Sequence, residues 1–217
     1  MTEKKEEEDI TKSDMLSFFV SESETTAESS RTFGLYGDVD EEMASSVVYT
    51  LISLKESIER ENKKKAQKLL EGEQETQSEE DRPIKMIIST HGGSAHDMFA
   101  IYDIMRLMGD IEIETMGIGK VMSAGVLLLC AGTKGRRKIG QNCRVMIHPV
   151  AAASMGDLVD IENETKEIKN LQKQYVSALA ENTNMTVQQI KKIIKKKINV
   201  YLSAEEAVKL GIADEIV

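Results

Sequence analysis

Between residues 84 and 148 short apolar runs alternate with helical segments, and that alternation constrains this chain more than any other feature of its sequence. IKMIIS (84–89) has the length and composition of a buried strand, MFAIYDIMRLM (98–108) spaces its apolar side chains as a helix does, and IEIETMGIG (111–119) reads as another strand. AGVLLLCAG (124–132) reads as an apolar helix and RVMIH (144–148) as a further strand. Such alternation predicts an α/β fold, a parallel or mixed sheet with helices packed on it. With 217 residues, 41% of them hydrophobic, there is material for one sizeable domain with a real core.

The flanks extend the pattern. TFGLYG (32–37) reads as a short strand, after which Asp38 or Asp40 can cap a helix carrying Ala44, Val47, Val48, Leu51, Ile52 and Ile58 at helical spacing. That helix runs into a charged insertion at about 55–83, where seven bases and nine acids nearly cancel, the mark of a solvated surface rather than a binding patch. Residues 1–31 read as an acidic, flexible tail. Its apolar run Leu16, Phe18, Phe19 and Val20 is either a strand docked on the body or a partner-docking segment. The remainder, 32–217, reads as one domain. A long helix is predicted at about 157–182, with Ile161, Ile168, Leu171, Tyr175, Ala178 and Leu179 as its apolar stripe. The closing stretch reads as a strand, a helix capped by Ser203, a stop at Gly211 and a last short strand.

A net charge of -9 argues against nucleic-acid binding, and no run approaches the roughly 18 apolar residues of a membrane span. The charged opening residues have no apolar stretch behind them, so no secretory signal is expected. Two cysteines, Cys130 and Cys143, cannot build a disulfide framework, and no Cys/His pair has zinc spacing. A reducing compartment, the cytoplasm, and a chain without a metal are the expectations that follow.

Three places could carry chemistry. STHGGS (89–94) follows a strand; its paired glycines suit either a tight turn or a close backbone approach that offers amides to an oxyanion. Ser123, in GIGKVMSAG (117–125), opens the apolar helix, where it is either an ordinary N-cap or a nucleophile with amides beside it. His148 ends a strand before Pro149 and, with His91 and His96, is one of three imidazoles able to take a serine's proton.

In this order THGGSAHDMFAIYDIM, GIGKVMSAGVLLLCAGTKGRRKIGQNCRVMIHP and YLSAEEAVKLGIADEIV resemble the proteolytic subunits of the Clp protease, from about Thr32 to Val217 apart from the charged insertion. The resemblance implies a Clp/crotonase-type fold of stacked short β-sheets surrounded by helices, with the long helix projecting. It implies a serine endopeptidase in which Ser123 is the nucleophile and His148 the general base and then acid, with the amides of Gly93 and Ala124 as oxyanion hole. It also implies stacked heptameric rings, homomeric or mixed with another Clp subunit, that receive unfolded polypeptides from a separate AAA+ unfoldase. ATP would be used only by that partner: this chain has no G-x-x-x-x-G-K-[ST] loop, and no cofactor is expected.

The sequence also departs from the family pattern. Ala124 replaces the usual Met after the serine, which a backbone donor tolerates, and His91 stands where a Pro usually precedes the glycines. The family's third catalytic residue, an Asp before the F/Y-x-S-A motif, is matched by Asn199, or by Lys197 when alignment starts from the upstream helix. No Asp lies between Asp160 and Asp214, although Asp157 could swing in to orient His148. An amide can hold an imidazole in place, but it stabilises the imidazolium less than a carboxylate does. The basic run Lys191, Lys192, Lys195, Lys196 and Lys197 is a solvated helix face or an altered ring contact. Two other readings stand beside the peptidase. A silent subunit of a mixed ring is favoured by Asn199; an acyl-CoA-handling enzyme of the crotonase superfold would not need Ser123 paired with His148.

Overall fold

The computed structural model describes residues 31–71, 82–152, 155–195 and 198–217. The acidic tail with its Leu16 to Val20 run, part of the charged insertion, and Lys196 and Lys197 lie outside the described residues. In chain order the strands are β1 (Thr32–Val39), β2 (Ile84–Gly93), β3 (Ile113–Met122), β4 (Arg137–Ile139), β5 (Arg144–Ile147), β6 (Val200–Leu202) and β7 (Glu215–Ile216). The helices are α1 (Glu41–Leu70), α2 (Ala95–Leu107), α3 (Ala124–Cys130), α4 (Leu158–Asn182), α5 (Val187–Lys195) and α6 (Ala204–Lys209).

The strands β1-β2-β3-β4-β7 form a parallel sheet in that order. Strand β3 then forks. Thr115 to Gly117 pair with β4, whereas Lys120 to Met122 pair with β5, so the end of β3 that leads to Ser123 leaves the main path. There β6 runs antiparallel to β5. This is an α/β architecture consistent with the expected Clp/crotonase type.

The core follows from the alternation. In β2 Ile84, Met86, Ile88 and Thr90 turn inward, and α2 contributes Met98, Ile101, Tyr102 and Met105. Every residue of α3 is buried, as a helix apolar on all sides must be, and it packs on β2, β3 and α4. Placing α3 in the core fixes where its first turn, and therefore Ser123, emerges.

The structure corrects several boundaries. β1 runs to Val39, past Gly37, and Asp40 is the residue that caps α1, accepting from the Met43 amide at 2.9 Å. β2 continues through Gly92 and Gly93, so these glycines belong to the strand and not to a loop; Val39 pairs with Gly93. β4 was not anticipated, because three residues are too few to show a period. In α4 the stripe is buried only from Leu171 onward; Ile161 is 38% exposed and Leu158 71%, because the N-terminal half runs beyond the body. On α5 the described lysines Lys191, Lys192 and Lys195 are exposed, with Ile190 and Ile194 buried on its other side. Ser203 caps α6 in a reciprocal box with Glu206. Among the described residues no helix is long and apolar enough to cross a membrane.

Candidate active site

Ser123 joins β3 to α3 with φ 54° and ψ -116°, the only positive φ outside glycine among the described residues. A side chain in that region is strained by roughly 1–3 kcal/mol and must be held there by its surroundings. Three hydrogen bonds do so. Its amide donates to the Met146 carbonyl on β5 at 2.8 Å, and its carbonyl accepts from the Val126 amide and from the Tyr175 hydroxyl, each at 3.0 Å. The Ser123 side chain does not cap the helix. Its Oγ lies 2.7 Å from His148 Nε2 instead.

The pairing of β3 with β5 explains that meeting. Met122 sits opposite Met146, so the residues just beyond each strand end, Ser123 and His148, converge. His148 is partly buried, and burial holds its imidazole below the usual 6.5. At neutral pH the ring is therefore uncharged and able to accept a proton. Of the other imidazoles, His91 and His96 are exposed and neither bonds to Ser123.

The β5–β6 register pairs Val145 with Leu202, Met146 with Tyr201 and Ile147 with Val200. Asn199 and His148 are the residues just beyond the last of these pairs, and neither belongs to a strand. Asn199 is exposed, and no hydrogen bond joins it to His148. Asp157 is occupied elsewhere: its carboxylate caps α4, accepting from the Asp160 amide at 3.0 Å.

The glycines earn their place by contact. A Cβ on Gly92 would lie 2.6 Å from the Cβ of Ser123 and 3.1 Å from the Ala124 nitrogen, and its φ of 102° is unsuited to a side chain. A Cβ on Gly93 would lie 2.2 Å from the Val39 carbonyl oxygen. Gly93 is thus locked beside β1, where the next amide, of Ser94, donates to Val39 at 2.8 Å. Ala124 is the first residue of α3, and amides there lack partners within their own helix. Gly93, Ala124, Ser123, His148, Met98 and Tyr175 line one cleft of about 140 Å³.

Of the five residues singled out in the sequence, Ser123, His148, Gly93 and Ala124 therefore share that cleft, and Asn199, which precedes β6, is not among the residues that line it. The thiols are poor rivals as nucleophiles: burial raises Cys130 to about 12 and Cys143 to about 11. Among the described residues no group of three His, Cys, Asp or Glu side chains could hold a metal ion. Sequence reasoning missed the Gly92 contact and the role of Tyr175, which it read only as part of the α4 stripe. The available signal was chemical: a buried phenol needs a partner for its hydroxyl, whereas the aliphatic residues around it do not.

Residues 52–217 match the family model described as Clp protease. The ATP-dependent Clp protease proteolytic subunit 1 of Corynebacterium glutamicum is 36% identical over 137 residues, which cover 63% of this chain and 64% of that protein. The subunit of the same name from Thermobifida fusca is 36% identical over 137 residues, 63% of this chain and 60% of its own length. That from Bifidobacterium longum is 35% identical over 136 residues, 62% of this chain and 57% of its own. The chain thus spans about three-fifths of the length of these curated relatives.

Proposed function

Since the chain belongs to the Clp protease family, we propose that it is a serine-type proteolytic subunit that cleaves unfolded polypeptides. The observation that supports this most is the 2.7 Å approach of Ser123 Oγ to His148 Nε2 at a strained strand-to-helix junction. With the ring proton on Nδ1, Nε2 takes the hydroxyl proton as Oγ attacks the scissile carbonyl, and the C–O bond forms as the carbonyl electrons move to oxygen. The amides of Gly93 and Ala124 receive that oxyanion. The imidazolium then gives its proton to the departing amine as the C–N bond breaks, and water repeats the sequence on the acyl-enzyme.

The relatives' names describe ATP-dependent proteases, which supports an oligomer working with an ATPase. We extend this to stacked heptameric rings, homomeric or mixed, fed by an AAA+ unfoldase that alone consumes ATP; the subunit itself would need no cofactor. A cytoplasmic location suits its two free, buried cysteines.

A catalytically silent subunit of a mixed ring is the second reading, favoured by Asn199 at the usual acid's place and by the absence of a hydrogen bond between it and His148. A short fluorogenic peptide that needs no unfoldase separates the two. Assembled wild type should release fluorophore and Ser123→Ala should not. No turnover by assembled wild type, or equal turnover by the variant, would remove the peptidase reading.

A further inference from the structure

Tyr175 reaches the reaction centre from α4, an element the mechanism above does not otherwise use. Its hydroxyl donates to the Ser123 carbonyl at 3.0 Å, its side chain is buried, and the ring forms part of the cleft wall beside His148. We infer that Tyr175 is a positioning residue, a clamp that keeps Ser123 in its left-handed conformation so that Oγ stays within hydrogen-bond reach of His148. This rests on Ser123 being the nucleophile.

The geometry shows why a clamp is needed. A serine at φ 54° and ψ -116° relaxes readily once its peptide group is free to rotate, and rotation about these torsions swings Oγ away from Nε2. The Ser123 amide is fixed by the sheet through Met146. The carbonyl on the other side is held by the first turn of a seven-residue helix, through Val126, and otherwise, among the described residues, by Tyr175. Burial raises the phenol pKa, so the hydroxyl keeps its proton and remains a donor at neutral pH. The clamp is also anchored at its far end. Further along α4, the Asn182 side-chain amide donates to the Tyr102 hydroxyl on α2 at 2.9 Å, which ties the helix to the neighbour that supplies Met98 to the same cleft.

Tyr175→Phe removes the hydroxyl and keeps the ring, whereas Tyr175→Leu removes both. The assembled protein should lose roughly five- to tenfold in kcat on a fluorogenic peptide in the Phe variant, at unchanged KM, in line with the loss of one buried hydrogen bond. The Leu variant should be at least as impaired. A residue that only fills space predicts the reverse for Phe: kcat as in wild type, with any effect confined to thermal stability. Crystal structures of wild type and Tyr175→Phe supply the reading that does not depend on activity. Relaxation of Ser123 φ, with Oγ moving out of hydrogen-bond reach of His148 in the variant, supports the clamp. An unchanged Ser123 in the variant overturns it, as does a Phe variant with wild-type kcat. Should the wild type prove inactive, the peptidase reading falls, and the crystal comparison still decides whether Tyr175 holds Ser123.

Discussion

Burial lowers the pKa of His148 below 6.5, so in the proposed mechanism the base is ready at neutral pH, yet the same burial disfavours the imidazolium that each proposed step would create. A carboxylate beside Nδ1 would offset that cost; the residue just before β6, next to the last pair that β5 and β6 make, is Asn199. Asn199→Asp should therefore raise kcat by roughly tenfold or more, the opposite in sign to the loss when a triad aspartate becomes asparagine in another enzyme. The pH profile carries the sign as well. Activity is lost on the acid side as His148 gains its proton, so the wild-type midpoint in kcat/KM should lie below 6.5, and the new carboxylate should move it upward. A variant with neither gain nor shift would mean that residue 199 does not reach the imidazole. As candidates, Ser123 and His148 were legible in the sequence because each lies at a strand end within a stretch that resembles the Clp proteolytic subunits. The Asn199 register was left between two residues there, since counting along a sequence cannot fix an antiparallel pairing that β6 makes only with a distant strand.

Among the elements, β4 shows what a three-residue strand can hold. The buried Arg137 guanidinium donates to the carbonyls of Cys130 (3.3 Å), Asn182 (2.6 Å) and Gly211 (2.9 Å), and its Nε to Asp214 Oδ2 at 2.8 Å. It thereby fastens the last residues of α3 and α4 and the turn after α6 to the sheet edge where β7 pairs. Arg137→Ala should cost roughly 3 kcal/mol in urea unfolding, because it leaves buried carbonyls and a carboxylate without their donor. The hydrogen bond from Arg137 is the first cause holding Asp214 below its usual 3.8. That contribution is present above pH 3.8 and fades as pH falls through the depressed value, so the variant should lack this part of the acid sensitivity. Equal unfolding midpoints would show that the network is dispensable. Nothing in the run RRK announced this role; a buried arginine becomes intelligible only once four chain segments converge on it.

For the whole molecule, the strand–helix alternation foretold a sheet with helices packed on it, parallel or mixed, because periodicity is local and each βα unit reports its own class. The fork in β3 was not legible, since one strand serves two partners and the sequence records neither. That fork brings β5 beside the end of β3 and so builds the Ser123–His148 pair. Whether this geometry activates the serine is the central claim, and a fluorophosphonate, which reacts with an activated serine and needs no substrate preference, tests it most directly. On the isolated assembled fraction, wild type should label at one site and Ser123→Ala should remain blank. An assembled wild type that takes no label, or a variant that still does, would contradict the account.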